Sequence, residues 1–287
     1  MLTDLDGTFL NPVGKINQAN LDALELLHKH GIVRAVCTGR TLDSSREVVP
    51  RNLPFDYLIF SSGAGICEFA NEKILCRHEL SKADILLLTN YFREKQIDFS
   101  VHFPIPNNHF FYWFSGPVKS PDLISRLHWL KEFAIEGNDE LINKLESATQ
   151  LLAIVNDEQL YMFEELRNSF RHLSFIRATS PLNQGYTWIE VFPKDVSKGK
   201  GAEWLCNYLS IPWENTVSLG NDYNDIHMLE WTATSYIMDN SPEELKARFK
   251  TAPSNANDGF AVAIKQWLGK LEARSWESPL RGLPLLA

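Results

Sequence analysis

The sequence predicts an α/β protein: a parallel-sheet core assembled from two separated segments, with a smaller α+β module inserted between them. Three observations carry this. The first third of the chain alternates short apolar runs with amphipathic stretches, and the last third does the same. Such alternation implies parallel pairing through right-handed crossovers. The middle, about 79–183, instead holds extended runs joined by short turns, the pattern of antiparallel pairing. The length, 287 residues, suits one large or two medium units.

The elements follow in order. LTDL is a strand stub that ends in Asp4 and Asp6, and side chains two apart on an extended chain point the same way. Gly7 and Thr8 then turn the chain. Asn17 to His30 carries leucines at mostly helical spacing, with Gly31 as C-cap. IVRAVCTGR is a buried strand ending in Thr-Gly-Arg. A helical stretch from Leu42 leads to the strand YLIFSSGAG. In the middle, SKADILLLTNYFREKQ is helical, DFSVHF and HFFYWF are extended around a Pro/Asn-rich turn, and QLLAIV is a strand. HFFYWF reads as a core strand of that module rather than a stacking platform. WIEVF is expected to resume the core alternation, followed by a helix at Lys198 to Leu209, the strand TVSLG, a helix from Tyr223, the strand TSYIM, and helices from Ser241 and Gly259. The expected division is a Rossmann-like core at 1–78 and 184–287, an insert at 79–183, and a poorly ordered tail from about 275.

Composition narrows the function classes. The net charge of -8 and pI near 5.5 argue against nucleic acid or an anionic membrane as partner, because phosphate backbones select basic faces. A small phosphorylated ligand stays open, since a local site can neutralise its charge. The chain has no run long enough to span a bilayer and no basic-then-apolar leader. Cys37, Cys67, Cys76 and Cys206 form no CxxC pair and read as buried thiols of a reducing compartment, so the cytoplasm is the expected location. A monomer or weak homodimer is expected.

Four pieces fall at strand ends or a helix start, where open parallel sheets bind ligands. They are DLDGT (Asp4 to Thr8), CTGR (Cys37 to Arg40), Lys198 of VSKGKG, and GNDYND (Gly220 to Asp225). Together they supply acids, a hydroxyl and an ammonium, the equipment of phosphoryl transfer with a divalent cation. A carboxylate can attack phosphorus, a second carboxyl can shuttle the proton, and hard oxygens hold Mg²⁺. Taken singly, each piece is equally well explained as a turn, cap or solvated lysine. Taken together at the right strand ends, they require several coincidences.

These boxes, in this order and with a cap-sized insert after the second, resemble the haloacid dehalogenase superfamily of phosphatases, in particular its Cof-type branch with a large C2-type cap. The similarity extends to NANDGFAVAI near the C-terminus. The resemblance implies Asp4 as nucleophile and Mg²⁺ ligand, and Asp6 as general acid/base with its backbone carbonyl on the metal. It implies that Thr38 and Gly39 bind phosphate, with Arg40, Ser62 and Asn224 beside it. Arg40 either approaches the phosphate or only pairs with an acid. Lys198 neutralises charge. Asn221, Asp222 and Asp225 are the candidates that complete the metal site, and which of them touches the metal is left open. The substrate implied is a small phosphate ester, with the cap selecting the leaving group.

The chain departs from the family pattern at three places. Asn221 stands where an aspartate is common, and an amide oxygen binds Mg²⁺ without its charge. Ser62 replaces an asparagine. Only three residues precede Asp4, so the expectation is a short or misassigned start and a truncated central strand, each missing bond or buried side chain costing about 1 kcal/mol. The alternatives are a phosphosugar-binding or regulatory protein with little turnover, a sugar-acid phosphatase resembling mannosyl-3-phosphoglycerate phosphatase, and, more weakly, a phosphomutase. His102, Asn107, Asn108 and Arg126 are polar residues of the insert that could meet substrate, with surface exposure the simpler expectation.

Overall fold

The computed structural model describes residues 1–277 apart from 181, 183 and 184. The tail expected from about 275 lies outside the described residues beyond Glu277, where the last helix (Gly259–Glu277) is described to its end.

The core sheet begins with β1 (Leu2–Thr3), β2 (Ala35–Cys37) and β3 (Tyr57–Phe60), then turns back through β4 (Gly65–Glu68) and β5 (Ile74–Arg77). Later in the chain β14 (Val217–Gly220), β15 (Thr234–Met238) and β16 (Lys250–Ala252) complete it. The order is β16-β15-β14-β1-β2-β3-β4-β5. Pairing is parallel from β16 to β3 and antiparallel for β4 and β5. β1 is central and short, yet bonded on both sides. Both faces of this sheet are covered, which is why its strands read as continuous apolar runs. Val36, Leu58, Leu219 and Tyr236 pack against helices Gln18–Lys29 and Gly259–Glu277. Leu2, Ala35, Cys37 and Ile59 pack the other way, against Ala202 and Leu205 of helix Lys198–Tyr208 and against Met228.

The inserted part holds β7 (Asp98–His102), β8 (Phe111–Phe114), β9 (Ala134–Glu136), β11 (Gln150–Asn156), β12 (Leu173–Thr179) and β13 (Tyr186–Pro193), in the order β12-β13-β11-β7-β8-β9. A small ladder of β6 (Leu80–Ser81) and β10 (Ser147–Ala148) flanks it. All pairs of the larger sheet are antiparallel except β8 with β9.

This corrects one expectation. WIEVF does not resume the core alternation, because β13 pairs antiparallel with β11 and β12 in the inserted sheet. Its residues alternate sides, as a strand with one apolar face requires. Ile189 and Val191 join Leu151, Ala153 and Val155 under helices Lys82–Glu94 and Met162–Ser169. The opposite side carries Trp188 and Glu190 with Gln150, Leu152 and His102, and it faces the core sheet's C-terminal edge across a cavity.

Candidate active site

Residues 5–9 turn the chain sharply after β1, closed by a bond from Leu10 N to Leu5 O at 2.9 Å. Gly7, at φ +80°, makes this possible: a Cβ there would sit 2.4 Å from the Asn221 side chain. On the opposite side of the site Ser61, Ser62 and Gly63 all have positive φ, and a Cβ on Gly63 would collide with Ser197 O at 2.3 Å. These two turns bring β1, the loop after β3 and the start of helix Lys198–Tyr208 to one point.

At that point Lys198 is fully buried. Its ammonium donates to Asp4 Oδ1 and Asp225 Oδ1, each at 2.6 Å, and to Asn224 Oδ1 at 3.4 Å. All three donors are thereby directed. Burial alone would lower the Lys198 pKa, but the two carboxylates outweigh it and hold it above its ordinary value. Burial pushes the Asp4 carboxyl up to about 7 against the pull of Lys198, with Asp225 and Asp6 adding repulsion. Asp225 has both oxygens engaged, since its Oδ2 accepts from the backbone N–H of Asn221 and Asp222 at 2.8 and 3.1 Å.

Thr38 and Gly39 line the same cavity, as do Asp4, Asp6, Arg40, Asn221, Asp222 and Asn224. The Thr38 hydroxyl accepts from Arg40 N at 3.1 Å. Asp6 pairs with Arg40. Its exposed carboxylate takes two bonds from Arg40, at 2.7 and 2.8 Å, and this pairing raises the guanidinium pKa further. Arg40 is therefore the partner of an acid, one of the two roles open to it.

Three placements differ from the sequence expectations. Asp222 reaches across to the inserted sheet: its carboxylate accepts from Thr179 N and Oγ1 of β12 at 2.9 and 3.1 Å, which ties that sheet to the core. Asp225 orients Lys198 and the 220–222 turn. Ser62 donates to Glu190 Oε2 at 2.7 Å, so its hydroxyl is committed to a carboxylate.

Oxygens that could receive a divalent cation converge at Asn221. One terminal atom of the Asn221 amide lies 2.8 Å from Asp6 O, 3.1 Å from Asp4 Oδ2 and 3.0 Å from Thr8 Oγ1. As nitrogen it donates to all three; as oxygen it leaves a cluster that lacks a proton toward Asp4 and Asp6. Separations near 3 Å are the edge length of an octahedron with metal–oxygen bonds of about 2.1 Å. The donors are a carboxylate, a backbone carbonyl and an amide, which is hard-oxygen chemistry. Among the described residues no group of three His, Cys, Asp or Glu side chains is placed to hold a metal ion, so a cation at Asn221 would draw on backbone and amide oxygens as well as a carboxylate. Asp4, Asp6 O and Asn221 thus fit Mg²⁺.

The inserted sheet contributes residues that the sequence reading missed or misplaced. Glu190 is buried beside the Ser62 hydroxyl, and burial raises its pKa despite the Ser62 bond and the nearby Lys198 and Arg126 charges. Gln150, cross-strand partner of His102, was not singled out. The alternation in WIEVF was the available signal, since it places Glu190 and Trp188 on one side. His102, Asn108 and Arg126 are buried, contrary to the expectation of exposure, while Asn107 is exposed as expected.

A buried carboxylate beside a buried ammonium, a cluster of hard oxygens and a second sheet across the cavity are the equipment of a phosphoryl-handling α/β hydrolase. A family model described as haloacid dehalogenase-like hydrolase matches residues 1–264, and the chain belongs to that family. One curated relative, the 5-amino-6-(5-phospho-D-ribitylamino)uracil phosphatase YcsE of Bacillus subtilis, is 27% identical over 273 residues, covering 92% of this chain and 94% of the relative. Among solved structures, the phosphatase BT1666 of Bacteroides thetaiotaomicron superposes with a TM-score of 0.77 at 20% identity, covering 93% of each chain. The subclass IIB sugar phosphatase BT4131 gives a TM-score of 0.73 at 20% identity, over 93% of this chain and 97% of that one.

Proposed function

We propose that the protein is a Mg²⁺-dependent phosphomonoester hydrolase that works through an aspartyl-phosphate on Asp4. The observation that carries this is the Lys198 ammonium at 2.6 Å from Asp4, next to the Asp4–Asp6–Asn221 oxygen cluster. An Asp4 oxygen attacks phosphorus while the ester oxygen leaves. Asp6, freed from Arg40, gives that oxygen a proton and then takes one from the water that cleaves the acyl phosphate. Lys198 stays protonated and offsets the charge gathered at Asp4. Thr38 and Gly39 hold the phosphate oxygens. Mg²⁺ held by Asp4, Asp6 O and Asn221 would shield the negative charge of the phosphoryl group.

The substrate is a small phosphorylated metabolite, of the sugar or sugar-alcohol kind. A cavity of about 820 Å³ supports this, for it reaches from Asp4 to Gln150, Trp188 and Phe133 and is large enough for a metabolite-sized leaving group. The names of the relatives, one acting on a phospho-ribityl compound and one on sugar phosphates, point the same way. The free thiols at Cys37, Cys67, Cys76 and Cys206 support a cytoplasmic location.

A second reading, a phosphosugar-binding protein with little turnover, draws on the engagement of Asp6 with Arg40 and on the amide at position 221. Hydrolysis of p-nitrophenyl phosphate by wild type and Asp4→Asn, each with Mg²⁺ and with EDTA, decides between them. Turnover that needs both Mg²⁺ and Asp4 is the expected outcome. Folded wild type with no turnover above Asp4→Asn would leave the binding reading.

A further inference from the structure

Arg126, on helix Pro121–Trp129, is buried at 5% exposure, and its guanidinium lies between two aromatic rings, 5.0 Å from Phe111 and 4.8 Å from Trp188. Its Nη2 donates to His102 Nε2 at 3.1 Å. His102 accepts there as a neutral ring, with Nδ1–H donating to Asn108 O at 2.9 Å. The guanidinium Nε has no partner among the described residues.

Two buried carboxylates, Asp122 and Glu190, act on its charge without bonding it: Asp122 accepts from Ser180 Oγ and Trp188 Nε1, and Glu190 accepts from Ser62. A buried N–H without an acceptor is costly, and a polar group of a ligand in the cavity would satisfy it. On the same side of the sheet, Gln150 is buried and its Oε1 is also without a partner among the described residues. Arg126 and Gln150 both line the cavity that opens onto Asp4.

We propose that Arg126 and Gln150 form a second subsite that takes a carboxylate, with a neighbouring hydroxyl, on the leaving group of the phosphate ester. The planar fork of arginine matches a carboxylate, and the amide oxygen accepts the hydroxyl proton. The aromatic rings beside the guanidinium hold it in orientation before substrate arrives. The substrates so defined are phosphate esters of hydroxy acids, anchored at both ends, with the phosphate at Asp4 and the acid at Arg126. This rests on the hydrolase reading given above.

The test compares matched esters, phosphoglycerate against glycerol phosphate and phosphogluconate against glucose phosphate. Wild type is expected to favour the acid member of at least one pair in kcat/KM by about tenfold or more, as one charge-assisted contact allows. Arg126→Gln brings that ratio close to one, chiefly through KM. Arg126→Lys, which keeps the charge, retains part of it. Gln150→Leu lowers it with the buried arginine intact, so the test survives if Arg126→Gln fails to fold. Calorimetric binding of the same esters to Asp4→Asn separates the two proposals. Absence of p-nitrophenyl phosphate hydrolysis by wild type removes the hydrolase reading. Equal affinity of Asp4→Asn for acid and neutral members, or a preference untouched by Arg126→Gln and Gln150→Leu, removes the subsite.

Discussion

Lys198 shows how much of the site rests on single residues. It is the only side chain seen to bridge Asp4 and Asp225 among the described residues, and all three are buried. Lys198→Met leaves two carboxylates facing each other without a cation, and the loss of one partner from such a buried set costs about 3–5 kcal/mol. A urea titration should find that loss, together with the disappearance of phosphatase activity. Gly7→Ala tests the approach of the DLDGT turn to Asn221: the added methyl meets the amide, so the variant should raise the Mg²⁺ concentration needed for half-maximal turnover by tenfold or more. Asp4, Thr38 and Lys198 were legible in the sequence because each ends a strand or begins a helix. The spacing of GNDYND could not say which acid faces which way. That is decided by the turn at 221–225, which aims Asp222 at Thr179 and Asp225 at Lys198.

At the scale of the element, β13 carries the main lesson. The core strands were legible because burial on both faces leaves continuous apolar runs, while WIEVF alternates and belongs with β11. A single alternating strand does not announce its partners, so Glu190 went unread. β4 and β5 were also missed, as a short hairpin that only tertiary pairing with β3 defines. On β7, His102 is held neutral in the folded protein, its pKa lowered to about 3 by burial and by the Arg126 charge. Its unfolded value lies near 6.5, so between those limits the unfolded chain binds the extra proton and stability falls as pH falls. From pH 7 to pH 5 this group alone removes about 2 kcal/mol. Denaturant midpoints of wild type and His102→Gln at both pH values should show the variant losing less on acidification. An equal loss would mean that His102 is not the titrating group.

In the whole molecule the two sheets close over the cavity that holds Asp4. Ile105 and Ile176 of the inserted part pack into the hydrophobic cluster of the core, and Asp222–Thr179 and Ser62–Glu190 tie the parts by hydrogen bonds. Asp222→Ala removes one of these ties and keeps the Lys198 bonds to Asp4 and Asp225. It should therefore raise KM for a large phosphate ester several-fold while changing turnover of p-nitrophenyl phosphate little, as steady-state kinetics on both would reveal. The α/β class was legible from alternation alone, because both faces of the parallel sheet are paid for in apolar sequence. The cavity was not, for it is made by two sheets distant in sequence.

The most direct test of the account is rapid-quench mass mapping of wild type and Asp4→Asn during p-nitrophenyl phosphate turnover with Mg²⁺. The account predicts a phosphoryl group on the peptide that contains Asp4, and neither that group nor turnover in Asp4→Asn. A phosphoryl group on another residue, or undiminished turnover by Asp4→Asn, would contradict it.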